Sequence, residues 1–271
     1  MWAYETLASQ PDLIVHECTP AFDFKILECI FGASYIAMSF VSTPTDIGWP
    51  CSRPRRWSLL FHRRRRAPLM PLTQVNFGGL FFRQCSTDGH IFWSASKELT
   101  DAFIERMAEK RGLPNRADSE SWLARDVLGQ GYFQRLLAYE RLCRRTRRAL
   151  TFIINLHQHC NFIKNMAKVV PTLLTRTSLL WSMVHDRLMH PLEYMQVMGL
   201  PVLMETAPGY TRSGFEELAL AGFVPDADIK HACGNGMVQV AVGSVCMFAL
   251  GSSRPAHLRD VRDTGADDPE I

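Results

Sequence analysis

The chain has 271 residues, of which 47% are hydrophobic and 21% charged, with a formal net charge of +3. That length supports one large domain or two modest ones around a substantial core, and the composition excludes a disordered or fibrous chain. Eight cysteines occur without a CxxC pair and no signal-peptide pattern opens the sequence, so they read as reduced thiols of a cytoplasmic or nuclear protein, not a secreted disulfide framework.

In chain order, "DLIVHEC" (12–18) reads as a buried, parallel-type strand and "AFDFKILECIFGAS" (21–34) as a helix. "SYIAMSFVS" (34–42) and "RWSLLFHR" (56–63) read as strands. Strand, helix, strand, strand is one flank of an α/β sheet. "APLMPLTQVNFGGLFF" (67–82) reads as loop, because it holds two prolines and a Gly-Gly pair. "SKELTDAFIERMAEKRG" (96–112) is a helix capped by Ser96 and stopped by Gly112. Helical periodicity resumes in "SESWLARDVLG" (119–129) and "YFQRLLAYERLCRRTRRAL" (132–150), followed by a strand-like "TFIINLHQHC" (151–160) and an irregular "VVPTLLTRTSLLW" (169–181). A last helical pair comprises "HPLEYMQVMGL" (190–200), with Pro191 in its first turn, and a run from Asn235 to Leu250. The apolar run "MVQVAVGSVCMFAL" (237–250) is too short to span a bilayer, reads as a buried helix, and gives no reason to expect a membrane partner. The acidic end "DVRDTGADDPEI" (260–271) reads as a disordered tail.

Charge is distributed unevenly. Seven arginines and no acid lie between residues 53 and 66, and five arginines and no acid lie between 141 and 148. Each cluster is either a solvated face or a phosphate-binding surface; the first also fits a nuclear-import patch. "HQHC" (157–160) has no second ligand cluster at zinc spacing, so no metal is expected. Met195, Met198 and Met204 read as core.

Four pieces, in this order, resemble the second half of a DNA (cytosine-5)-methyltransferase. "IVHECTPAF" (14–22) is similar to the family's strand-end "ENV" motif, with Glu17 in the acidic position. "DIGWPCSRPRRW" (46–57) resembles "dyGvPQxRxRvf", with Arg53 and Arg55 on the two arginines and Cys51 in place of glutamine. "RLMHPLEYMQVMGLP" (187–201) resembles "RxLTPxExxRLQGFP", keeping Arg187, Pro191, Glu193, Gly199 and Pro201. "ACGNGMVQVAVGSV" (232–245) resembles the closing "xxGNaVPppva" segment through Gly234 and Asn235. Pro50-Cys51 imitates the family's nucleophile motif, but that motif precedes the acidic strand and this pair follows Glu17. Cys51 is therefore a bystander.

The resemblance implies a partial Rossmann-like, class I S-adenosylmethionine-dependent methyltransferase sheet with an inserted, mostly helical target-recognition region. It assigns 1–66 to the methyltransferase core, 67–175 to target recognition, 176–251 to a return to the core, and 252–271 to a tail. The implied reaction transfers a methyl group from S-adenosyl-L-methionine to carbon 5 of cytosine in DNA. In that chemistry a thiolate adds to carbon 6, and the electron density reaching ring nitrogen 3 and the exocyclic oxygen must be stabilised. Glu17 would face nitrogen 3, Arg55 the oxygen, and Arg53 the phosphate side and nearby backbone. Gly234 and Asn235 would close the cofactor pocket. Arg63, Arg64, Arg144 and Arg147 are the candidate nucleic-acid contacts. Residues 1–16 contain neither a glycine nor a Pro-Cys pair, so this polypeptide is expected to lack most of the cofactor site and the attacking thiol, and to be inactive alone. Two other readings stay open: an inactive nucleic-acid-binding or regulatory paralogue, and an RNA cytosine-5 methyltransferase. A further expectation is that strand 12–18 has an unpaired apolar edge that favours aggregation.

Overall fold

The computed structural model describes residues 1–114, 121–146, 151–161, 167–175, 179–203 and 214–256. In chain order its elements are α1 (Trp2–Ser9), β1 (Leu13–Cys18), α2 (Lys25–Phe31), β2 (Tyr35–Ser42), β3 (Arg55–His62), β4 (Arg66–Pro68), α3 (Gln74–Phe81), α4 (Lys97–Lys110) and α5 (Gln130–Arg145). There follow β5 (Ile153–Asn155), β6 (Leu180–Ser182), β7 (Arg187–Leu188), α6 (Pro191–Val197), α7 (Gly214–Leu220), α8 (Asp226–Asn235), α9 (Gln239–Gly251) and β8 (Ser253–Pro255). The fold is mixed α/β. The described residues divide into two compact units, one within 1–47, 54–84 and 241–256, the other within 48–53 and 85–240.

The first unit is built on a three-stranded sheet of order β1-β3-β2, both pairings antiparallel. β3 is central, and its six residues from Trp57 to His62 are all buried. On one face Phe31 of α2 packs edge-on to Tyr35, in a cluster with Ile14, Leu27 and Leu60. Burying each such large apolar side chain contributes roughly 1.5–3 kcal/mol. A second aromatic set packs Phe40 of β2 at a tilt on Phe77 of α3, and Phe77 edge-on to Phe248 of α9.

Strand, helix, strand, strand is thus observed where the sequence places it, but the character of β1 differs. It is an antiparallel edge strand, and of its residues only Ile14 is buried. A three-stranded sheet with one central strand gives full burial only to that strand. Trp2 of α1 lies against His16 and Phe31. The expected loop at 67–82 contains α3, whose first turn is capped by the Thr73 hydroxyl accepting from the Asn76 N–H at 3.2 Å. There the aromatic contacts of Phe77 outweigh the helix-weakening Gly-Gly pair. Within the expected tail, Ser253–Pro255 form β8 and pair with β4, while 257–271 lie outside the described residues.

The second unit carries the antiparallel sheet β5-β6-β7 and a core that includes Phe103, Leu136, Tyr139, Ile154, Trp181 and Leu188. α4 matches its expected bounds, with the Ser96 hydroxyl accepting from the Leu99 N–H and Gly112 in the left-handed region. Residues 121–129 form turns, not the expected helix; Ala124, Val127 and Leu128 are buried at helical spacing and Trp122 packs against the core, while Leu123 faces solvent. Met198 is buried and Met195 half-buried; Met204 lies outside the described residues. Residues Asp226–Gly251 are long and apolar enough to cross a membrane by length and composition, but the helix is interrupted at 236–238. In α9 only one face is buried, through Ala241, Val245, Phe248 and Ala249, so the expected fully buried helix is half-exposed.

Candidate functional site

In the antiparallel register Glu17 faces Trp57, and Arg55 lies two residues before Trp57 on the same strand face. Glu17 and Arg55 are therefore diagonal cross-strand neighbours on one side of the sheet, within reach of a long side chain. Arg55 Nε meets Glu17 Oε1 at 2.7 Å, and the two side chains are 18% and 14% exposed. Arg55 Nη1 donates to the Pro54 carbonyl at 2.8 Å. Among the described residues, Glu17 Oε2 and Arg55 Nη2 have no polar partner. This is a single-point contact, not the two-bond fork that arginine and carboxylate form when fully engaged. Glu17 Oε2 and the Arg55 Nη2 group remain for a ligand at a strand end.

The neighbours fix this pair. Arg56 points to the opposite face, where its guanidinium donates to the Pro20 carbonyl and the Ser39 hydroxyl and so holds the turn after β1. His16 is held between the rings of Trp2 and Phe22. Burial lowers its pKa, with the Glu17 charge acting in the opposite sense.

A second Arg–Glu pair stands in the second unit. Arg187 contacts Glu193 through both terminal nitrogens, at 2.9 and 2.6 Å, and Glu193 is fully buried. Its carboxylate also accepts from the backbone N–H groups of His190 and Ala95, at 2.7 and 2.9 Å. His190 caps α6, its Nδ1 accepting from the Leu192 N–H, and Pro191 occupies the first turn as expected. Burial, with the positive charges of Arg106, Arg187 and Lys230, lowers the His190 pKa to about 3. The motif "RLMHPLE" is accounted for by this cluster, in which both Glu193 oxygens are engaged while the buried His190 Nε2 has no hydrogen-bond partner among the described residues.

Arg53 belongs to the same unit and is 4% exposed. It donates to the carbonyls of Leu173, Gly234 and Gly236 at 2.8–2.9 Å. The expected backbone contact is present; buried this deeply, the guanidinium offers no phosphate-facing surface. Gly234 is explained by the same contact. A Cβ there would lie 2.4 Å from the Thr175 nitrogen and 2.8 Å from the Leu174 carbonyl carbon, so only glycine allows the approach. Asn235 ends α8, exposed, with its amide 2.9 Å from His231 Nε2; it is not a helix N-cap. Gly199 has φ +88° and packs on Gln239. Cys51 is fully buried in a parallel bridge to Val170.

Of the candidate nucleic-acid contacts, Arg63 and Arg64 are exposed in the turn after β3, Arg63 donating to the Gly32 carbonyl. Arg144 is 75% exposed, 4.0 Å from Glu140. Arg147 lies outside the described residues. The sequence reading missed Arg56 and the Ala95 N–H. The alternation of arginines about Trp57 signals the first; nothing local signals the second, which bonds across 98 residues.

Gly234 and Asn235 do not fit an S-adenosylmethionine cradle. The space that a glycine would leave for the cofactor is filled by the Leu174–Thr175 backbone, and the Asn235 amide is engaged by His231. A cavity of about 420 Å³ nearby, lined by Leu192, Met195, Ile229, Cys233 and Met237, is almost wholly apolar. Burial raises the Cys233 pKa to about 12, against the nearby Arg53 charge, which leaves a neutral thiol in that wall.

No family model and no curated protein matches the chain. Solved structures do. A methyltransferase of Entamoeba histolytica, EhMeth, aligns over 92% of this chain at 14% identity and TM-score 0.41. The S. pombe Dnmt2 methyltransferase aligns over 89% of this chain and 67% of its own, at 13% identity and TM-score 0.37. A putative DNA modification methyltransferase encoded within an E. coli prophage aligns over 83% of this chain and 69% of its own, at 15% identity and TM-score 0.35. The chain spans 64% of the length of EhMeth, less than two thirds.

Proposed function

We propose that this chain handles the target base of a DNA cytosine-5 methyltransferase, with Glu17 and Arg55 as the base-reading pair. The observation that supports the reading best is the half-made Glu17–Arg55 contact at a strand end. Cytosine presents along one edge an amino donor, the ring nitrogen 3 acceptor and the exocyclic oxygen acceptor. A Glu17 carboxyl sharing a proton with nitrogen 3, and an Arg55 nitrogen donating to the oxygen, complement the last two groups. Both contacts strengthen as electron density moves onto those atoms when a nucleophile adds to carbon 6, the condition for electrostatic catalysis. To reach the pair, the base leaves the helical stack.

Methyl donation in this reading belongs to S-adenosyl-L-methionine, for which the described residues supply no matching cradle, so the proposal ends at base handling. The purified chain alone is expected to transfer no methyl group to DNA. The test is binding of an oligonucleotide with one unpaired cytosine against the same strand with uracil. Wild-type chain favours cytosine, and Glu17→Gln and Arg55→Ala abolish the preference. Equal binding of the two strands by wild-type chain overturns the reading.

A further inference from the structure

Near its C-terminus α5 carries Arg141, Arg144 and Arg145, of which Arg141 neighbours both others, three and four residues on. Arg144 approaches Glu140, itself joined to Arg125 at 2.8 Å, so its charge is answered within the chain. Arg141 and Arg145 have no ion pair or hydrogen bond among the described residues. Instead both line a cavity of about 410 Å³, whose other walls are Ala138, Leu142, Cys160 and Asn161. No lining residue is acidic, and the volume falls in the range of small-ligand sites, ~300–1,000 Å³.

Two guanidinium groups one helical turn apart repel each other, which destabilises a helix. The helix C-terminus offsets some of this, since its dipole favours cations. That effect would serve equally well with the arginines on separate faces. It does not account for two unpaired guanidiniums converging on one concavity with a side-chain amide beside them. An anion between them does: it removes the repulsion, and guanidinium is the cation that best matches phosphate geometry. Asn161 adds an amide that donates to a phosphate or sugar oxygen.

We infer that the cavity formed by Arg141, Arg145 and Asn161 is a binding site for a nucleic-acid phosphodiester. The site lies on the helix that the sequence marks as basic but uses different arginines from the expected Arg144 and Arg147. The identity of the ligand as nucleic acid rests on the base-handling reading above; the charge and shape of the cavity do not.

The test measures binding of the full chain to a fluorescent duplex DNA and to an RNA hairpin across a salt series, with inorganic phosphate as competitor. Each duplex phosphate contact contributes about 0.9 to the slope of log K against log salt. Arg141→Ala/Arg145→Ala should therefore flatten the duplex slope by about 1.8, while Arg141→Lys/Arg145→Lys and Arg144→Ala stay near wild type. The cytosine-over-uracil preference is unchanged in the double alanine variant. Loss on both nucleic acids supports the shared phosphodiester, and loss on one alone assigns the source. An unchanged slope in the double alanine variant overturns the site, as does phosphate binding with no nucleic-acid binding. If the slope flattens but wild-type chain never favours cytosine, the site stands and the base-handling reading falls.

Discussion

The molecule contains two Arg–Glu pairs in motif positions, and they are built for opposite purposes. Glu193 is fully buried and accepts from both Arg187 terminal nitrogens and from two backbone N–H groups. Glu17 meets Arg55 at one point, with both side chains partly open. A satisfied buried carboxylate has no capacity left for a ligand; it fixes the chain. A half-made pair at a strand end keeps a donor and an acceptor. Motif identity alone does not distinguish the two cases, but the number of occupied hydrogen-bond positions does.

Removing each carboxylate in turn separates the two roles. Glu193→Ala leaves the half-buried Arg187 charge without its carboxylate, with the Leu188 carbonyl still accepting from it, and should destabilise the second unit by about 3 kcal/mol, read as a shifted urea midpoint. A shift below ~1 kcal/mol would mean that the cluster is not structural.

Acid should strike the same cluster. The folded His190 pKa of about 3 lies below the ordinary 6.5, so the unfolded chain binds the extra proton between those values. Stability is then present above pH 6.5 and is lost as pH falls toward 3. Between pH 7 and pH 4.5 the loss is roughly 2–3 kcal/mol. His190→Asn keeps a capping acceptor and removes the titration, and should flatten the pH dependence in thermal melts. A wild-type melt insensitive to pH over that range would contradict this.

Gly234→Ala comes next. The added Cβ meets backbone of Leu174 and Thr175, not a flexible side chain, so overpacking of about 1–3 kcal/mol is expected. A neutral substitution would show that the Arg53 clamp yields easily. The smallest stability effect belongs to Glu17→Gln. A partly exposed single-point pair is worth about 1 kcal/mol or less, so this variant should unfold almost as wild type while losing base preference.

Much of the fold was legible because local signals agreed with tertiary ones. Ser96 and Gly112 bracket α4, and Pro191 opens α6. α3 was not legible: its glycines and flanking prolines spell loop, and the helix exists because Phe77 packs against the rings of Phe40 and Phe248. β1 looked like a buried strand because its apolar content says nothing about which neighbours it will have. The order of motifs pointed to Glu17 and Arg55 separately, but not to their direct pairing, which follows from the antiparallel register. Arg53 shows the limit of such reading. Its partners are carbonyls 120, 181 and 183 residues away, and carbonyls carry no side-chain signature.

Base reading by Glu17 acts at one atom, ring nitrogen 3 of a bound cytosine. Nitrogen-15 NMR of an oligonucleotide labelled at that position, titrated with the full chain, reports directly on a proton shared there. A Glu17 contact moves the nitrogen 3 resonance strongly upfield in the wild-type complex and leaves it unmoved with Glu17→Gln. An unmoved wild-type resonance, or the same upfield shift in both complexes, would contradict the assignment of Glu17 as the base-reading carboxyl.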